Sequence, residues 1–201
     1  METTTNKTNR TYPSNQSYST GENLFFKHGG YRNLQSFQMS TLVYDLTIEF
    51  CKKYIDFKSR TKDQMEQAAR SGRQNIAEGS QASATSKKTE IKLTSVARAS
   101  LEELLLDYED FLRQKHLKVW TKEDPRIKTI RNLAYLSDRS HESYSSYLND
   151  PESSANMMVC IIHQTNYLLD KQLKTLSAEF MKNGGFTERL YWKRKDLQNK
   201  Y

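Results

Sequence analysis

From Gln64 to Glu103 the chain reads as two helical blocks with very little between them. The first, QMEQAARSGRQNIAEGS, gives way to a few small polar residues, and KKTEIKLTSVARASLEE then resumes. Small and apolar residues recur in both blocks at steps of three and four, the period of one helix face. Two helices joined by so short a link lie side by side and antiparallel, meeting at a tight, basic turn. Only 7 Gly and 3 Pro interrupt the 201 residues, which favours long regular elements, and no segment reads as a convincing strand.

The remaining helices follow from periodicity and caps. A first helix is expected over Asn33–Phe57, with Leu34, Phe37, Thr41, Tyr44, Ile48, Cys51 and Ile55 as a heptad seam. A second stripe, Met39, Val43, Leu46, Phe50 and Phe57, lies beside it. A helix with two apolar stripes is buried on both sides, either centrally within the bundle or against another subunit, and the subunit contact is the preferred reading. Thr61-Lys62-Asp63-Gln64 matches a capping box that would start the second helix. That helix is expected to end at Glu78, with Gly79 just beyond it. Ser86 is the expected cap of a third helix running to Gln114, whose inward face includes Leu93, Ala97, Ser100, Leu104, Tyr108 and Phe111. Asp124-Pro125 and Asp150-Pro151 each place an Asp cap before a proline that needs no amide partner. They predict a fourth helix over 126–148 and a fifth over 152–182, closed by Asn183-Gly184-Gly185. The expected fold is all-α: an antiparallel up-down four-helix bundle with an additional inserted helix and a basic C-terminal tail. Its parts are a disordered arm over 1–30, the helical domain over 31–182 and the aromatic, basic tail over 183–201. Leu24-Phe25-Phe26, within the arm, is expected to pack on the bundle as a short anchor.

Composition narrows the function classes. No run reaches the roughly 20 apolar residues of a membrane span, and METTTNKTNR lacks the apolar core of a secretory signal. Cys51 and Cys160 stand alone among apolar neighbours and read as reduced core thiols of a cytoplasmic protein. The net charge is +7, which admits a polyanionic partner.

The middle of the chain resembles the bacterial four-helix bundle proteins known as ribosomal-RNA intervening-sequence proteins, and within them the "four helix bundle suffix" branch. Tyr31-x-Asn33-Leu34-x-x-Phe37, Gln67-Ala68-Ala69-Arg70-Ser71, Asn75-Ile76-Ala77-Glu78-Gly79, Ser86-x-x-x-Glu90 and Ala97-Arg98-Ala99-Ser100-Leu101-Glu102-Glu103 carry the resemblance over roughly 31–115. The segment 126–148 looks like an insertion. The resemblance implies an up-down bundle assembled as a ring, a homopentamer, and relatives include the accessory protein of diversity-generating retroelements, which serves a reverse transcriptase and its nucleic acid. It carries no catalytic residues over to this chain.

Charge placement then suggests where a partner would bind. Lys87, Lys88 and Lys92 crowd the start of the third helix, while Glu102, Glu103, Asp107, Glu109 and Asp110 fill its later half. Both groups oppose the helix dipole, which favours anions at the start by about 0.3–1 kcal/mol each. Arg70 and Arg73 are expected near the same junction, so Arg70, Arg73, Lys87, Lys88 and Lys92 form a predicted phosphate-binding patch. Lys193, Arg194 and Lys195, interleaved with Tyr191 and Trp192, suit single-stranded RNA or DNA. Asn75, Glu78 and Gly79 read as a structural turn tying two helix ends together. There is no His-x-x-x-His, phosphate loop, Glu-x-x-His pair or recognisable nucleophile, so no catalytic residue, metal or cofactor is expected. The reading is a non-enzymatic, homo-oligomeric, nucleic-acid-binding accessory protein. The alternative is a protein-interaction adaptor with incidental positive charge.

Overall fold

The computed structural model describes residues 30–134 and 141–199. The expected arm and its Leu24-Phe25-Phe26 anchor lie outside that range but for Gly30. Every regular element among the described residues is a helix, with no strand. Six α-helices follow in order: α1 Gln35–Tyr54, α2 Arg60–Ala82, α3 Lys87–Gln114, α4 Pro125–Leu133, α5 Pro151–Asn183 and α6 Phe186–Gln198. Short 3-10 helices precede α1 (Tyr31–Asn33) and α5 (His141–Asn149).

Each of the four long helices packs against two others: α1 on α2 and α5, and α3 on α2 and α5. Cross-helix contacts give the directions. Ser71 and Ser100 share a hydroxyl hydrogen bond of 2.9 Å, while Gly79 lies against Glu90 and Leu93, so α2 and α3 run antiparallel. Arg98 Nε donates to Asp170 at 3.2 Å and Asn166 Nδ2 to Glu102 at 3.2 Å, which sets α5 antiparallel to α3. Ser36 Oγ donates to Gln172 at 2.7 Å near the start of α1, and Tyr54 Oη reaches the Leu148 carbonyl at 2.8 Å from its end.

The core runs the length of these helices through Met39, Val43, Leu46, Phe50, Met65, Ile76, Leu101, Leu104, Met158 and Ile162. At its centre Phe50 meets Tyr108 and Phe111 edge-on, with centroids 4.8 and 4.9 Å apart. The Tyr108 hydroxyl is buried and donates to Thr47 at 3.1 Å.

Several boundaries differ from those expected, each for a local reason. α1 buries the Met39–Val43–Leu46–Phe50 stripe, whereas Leu34, Phe37, Tyr44 and Ile48 of the heptad seam are only partly covered. Phe57 lies beyond the end of α1 and is exposed. Ser59, not Thr61, caps α2: its hydroxyl accepts from the Thr61 amide at 3.2 Å. The fourth helix stops at Leu133 instead of 148, and the chain re-enters as the His141–Asn149 3-10 helix. There Tyr144 and Leu148 are buried, and the Leu148 carbonyl accepts from both Lys53 and Tyr54. The caps Ser86, Asp124 and Asp150 stand as expected, each side chain accepting from a first-turn amide.

Candidate functional site

α2 does not end at Glu78. It continues to Ala82, so Asn75, Glu78 and Gly79 lie within a helix and form no turn. Asn75 Nδ2 donates to the Ser71 carbonyl at 2.9 Å within α2, and Glu78 is exposed. Gly79 serves close helix packing: a Cβ there would stand 3.3 Å from both the Glu90 carbonyl oxygen and Leu93 Cβ. The actual turn is Ser83–Ser86, closed by Ser86 N to Ala82 O at 2.9 Å and by Ser83 Oγ to Ser80 O at 2.7 Å.

This displacement divides the predicted basic patch. Ser71 stands opposite Ser100, and Lys88 lies about 18 Å along α3 from Ser100 at 1.5 Å per residue. Arg70 and Arg73 therefore flank the middle of α3, not its start. Arg73 lies over the Tyr44 ring, 4.2 Å from its centroid, in the groove between α1 and α2. Lys87 is held by Glu90 at 2.8 Å, with only 15% and 10% of the two side chains exposed. The five residues form no single surface. Lys88 and Lys92 are the exposed cations left at the α3 start.

Much of the inverted charge on α3 is answered within the molecule. Arg98 Nη1 pairs with Glu102 at 2.5 Å, and Arg113 pairs with Asp110 at 2.7 Å. Glu103, Asp107 and Glu109 make no such pair among the described residues, and Asp107 differs from the other two in burial. The Asp107 Oδ2 is buried without a hydrogen-bond partner, and burial first, then Glu103 and Asp110, pushes its carboxyl above the usual range.

The antiparallel register of α3 and α5 brings the start of α3 to the end of α5. Lys88 and Lys92 lie at the end where α5 finishes and α6 begins. The aromatic, basic C-terminal tail forms a helix, α6, over Phe186–Gln198. Gly184 ends α5 with φ +64, and the Glu188 carboxylate accepts from the Gly185 amide at 3.0 Å to open α6. No residue of α6 is buried. Tyr191 and Trp192 are 59% and 57% exposed, their rings edge-on with centroids 5.4 Å apart. Lys195 Nζ lies 5.3 Å from the Trp192 centroid, and Arg194 beside it is exposed. Lys193 is partly covered.

On the flank of α5 the structure also shows a cavity of about 910 Å³ that sequence reading missed. It arises because residues 118–134 fold back over α5. Asn156 accepts from the Trp120 amide at 2.8 Å and donates to the Lys118 carbonyl at 2.8 Å. Glu152 accepts from Trp120 Nε1 at 2.9 Å, and Arg126 lies 3.6 Å from the ring centroid. Beyond the Asp124-Pro125 start of α4, nothing local marks the return: the bonds that hold it join Lys118 and Trp120 to Glu152 and Asn156, far apart in sequence.

Among the described residues no group of three or more His, Cys, Asp or Glu is arranged to hold a metal ion, and no helix is long and apolar enough to cross a membrane. The chain matches no protein-family model, no curated protein and no solved structure.

Proposed function

We propose that this chain is a non-enzymatic accessory protein of the cytoplasm that binds nucleic acid, and that α6 with the start of α3 is its contact surface. The supporting observation is α6 itself: a helix with no buried residue that presents Tyr191 and Trp192 beside Arg194 and Lys195. Exposed aromatic faces accept stacked bases irrespective of sequence, and neighbouring cations pair with the backbone phosphates. Lys88 and Lys92 extend the same charge from α3. Arg70, Arg73 and Lys87 have no part in this reading, since each is distant or already engaged.

The framework behind this surface is an up-down four-helix bundle of α1, α2, α3 and α5, of the ribosomal-RNA intervening-sequence type. Copies of it assemble, as a pentamer in the family it resembles. Val96, Ala99 and Leu106 favour assembly, lying exposed at helical spacing along α3. The same stripe would serve the second reading, an adaptor that docks another protein such as a reverse transcriptase.

Fluorescence anisotropy of a labelled single-stranded oligonucleotide, titrated at several salt concentrations, tests the proposal. Charge reversal at Lys193, Arg194 and Lys195 together should weaken binding and flatten its salt dependence. Lys88→Glu with Lys92→Glu should do so to a smaller degree. Affinity that ignores both sets of changes would remove the surface. Loss of assembly without any effect on nucleic acid would favour the adaptor.

A further inference from the structure

The cavity between the 118–134 return and α5 differs in chemistry from the basic end of the molecule. Its walls include the apolar side chains of Met39, Ile127, Val159 and Leu168. Three cations, Lys122, Arg131 and Lys171, also line it, and none of them makes an ion pair among the described residues. Glu109 is the one acid among the described lining residues. Gln164 adds a polar group with an unmet requirement: its amide donates to the Arg131 carbonyl at 3.3 Å, while its own Oε1 is buried with no hydrogen-bond partner.

A buried acceptor without a donor costs about 1–3 kcal/mol. Among the described residues Arg131 bonds only the Cys160 thiol, and Lys171 only faces the Tyr167 ring at 5.1 Å. Cations without a counter-ion beside an apolar wall favour an anion whose body covers that wall. The volume of about 910 Å³ lies in the range of small-molecule sites, roughly 300–1,000 Å³. We propose that this cavity binds a small amphipathic anion, an apolar body of ring size bearing one oxyanion. Arg131, with Lys171, would meet the oxyanion, the apolar walls would enclose the body, and Gln164 Oε1 would accept from a donor on it. None of these residues belongs to α6 or to the start of α3, so the proposal stands independently of nucleic-acid binding.

The test uses the full chain and two fluorescent probes of nearly equal shape: 8-anilinonaphthalene-1-sulfonate, which carries the anion, and uncharged 1-anilinonaphthalene. The sulfonate should bind saturably, one per chain, and more tightly than the neutral probe. Arg131→Met should weaken the sulfonate by about tenfold or more, the worth of a hydrogen bond to a charged group, and leave the neutral probe within about twofold. Lys171→Met, on the exposed side of α5, should act in the same direction and serves if Arg131→Met loses helicity. No saturable binding, equal binding of the two probes, or equal weakening of both by the variants would each overturn the proposal.

Discussion

Gly72 of α2 lies so close under Leu101 of α3 that a Cβ built on the glycine would meet Leu101 Cδ2 at 2.6 Å and Cγ at 2.8 Å. Leu101 is wholly buried and cannot swing away into solvent. Gly72→Ala gains about 0.5–1 kcal/mol of helix preference, but overpacking a filled core costs about 1–3 kcal/mol. The expected result is a net loss of about 1–2 kcal/mol in urea unfolding. Gly79→Ala would meet the Glu90 carbonyl oxygen and Leu93 Cβ at 3.3 Å, tight but not overlapping, so its loss should be smaller than that of Gly72→Ala. A Gly72→Ala protein as stable as the parent would mean that α2 and α3 are not held at this spacing.

These two glycines also show what could be read from the sequence. Gly79 follows a helical run and precedes small polar residues, which is how a helix end looks. A glycine that lets two helices touch looks the same, because in both cases it is the missing Cβ that matters. A helix end read at Gly79 comes one turn too early, and it draws Arg70 and Arg73 toward a junction that they do not reach. Ser86, Asp124 and Asp150 were legible because a side-chain oxygen ahead of a helix, twice followed by Pro, has one local use. The return over α5 was not legible, since its bonds join Trp120 and Lys118 to Glu152 and Asn156.

Asp107 should make the protein less stable when charged. Burial, with Glu103 and Asp110 adding to it, raises its carboxyl in the folded state, so the folded chain holds the proton more tightly than the unfolded one. That preference favours folding fully below the unfolded pKa of about 4 and is lost as pH rises through the folded value. Asp107→Asn should therefore raise Tm at pH 7 by a few degrees, and the advantage should shrink as pH falls toward 4. Thermal melts followed by circular dichroism across that range check it; a lower Tm for the variant at pH 7 would contradict the assignment.

The two thiols should be slow to alkylate. Burial, with Glu66 adding to it, pushes Cys51 up to about 12, and its Sγ packs 4.0 Å from Met65 Sδ. The thiolate is the nucleophile, so iodoacetamide at pH 7.5 should leave Cys51 unmodified until the chain unfolds. Burial also raises Cys160, but Arg131 opposes the shift and the residue lines the cavity. Mass spectrometry of a native time course should find Cys160 modified first. Rapid native labelling of Cys51 would show that the α1–α2 interface opens.

His116 occupies a place that suits glycine. It has φ +54, the one non-glycine residue with positive φ among those described, and it sits just past the end of α3. Its amide donates to the Arg113 carbonyl at 3.2 Å, and the Leu117 amide donates to the Leu112 carbonyl at 2.9 Å. This pair of bonds is the Schellman closure, which sets its left-handed residue at this position. The imidazole is exposed and makes no hydrogen bond or ion pair among the described residues that would compensate the strained backbone. Glycine adopts this conformation at no steric cost but loses more chain entropy on folding. His116→Gly should therefore stabilise the protein by about 0.5–1 kcal/mol, against a loss for His116→Val, whose branched Cβ is least compatible with positive φ. Paired urea titrations decide it: a glycine variant less stable than the parent would mean that the histidine side chain makes a stabilising contact of its own.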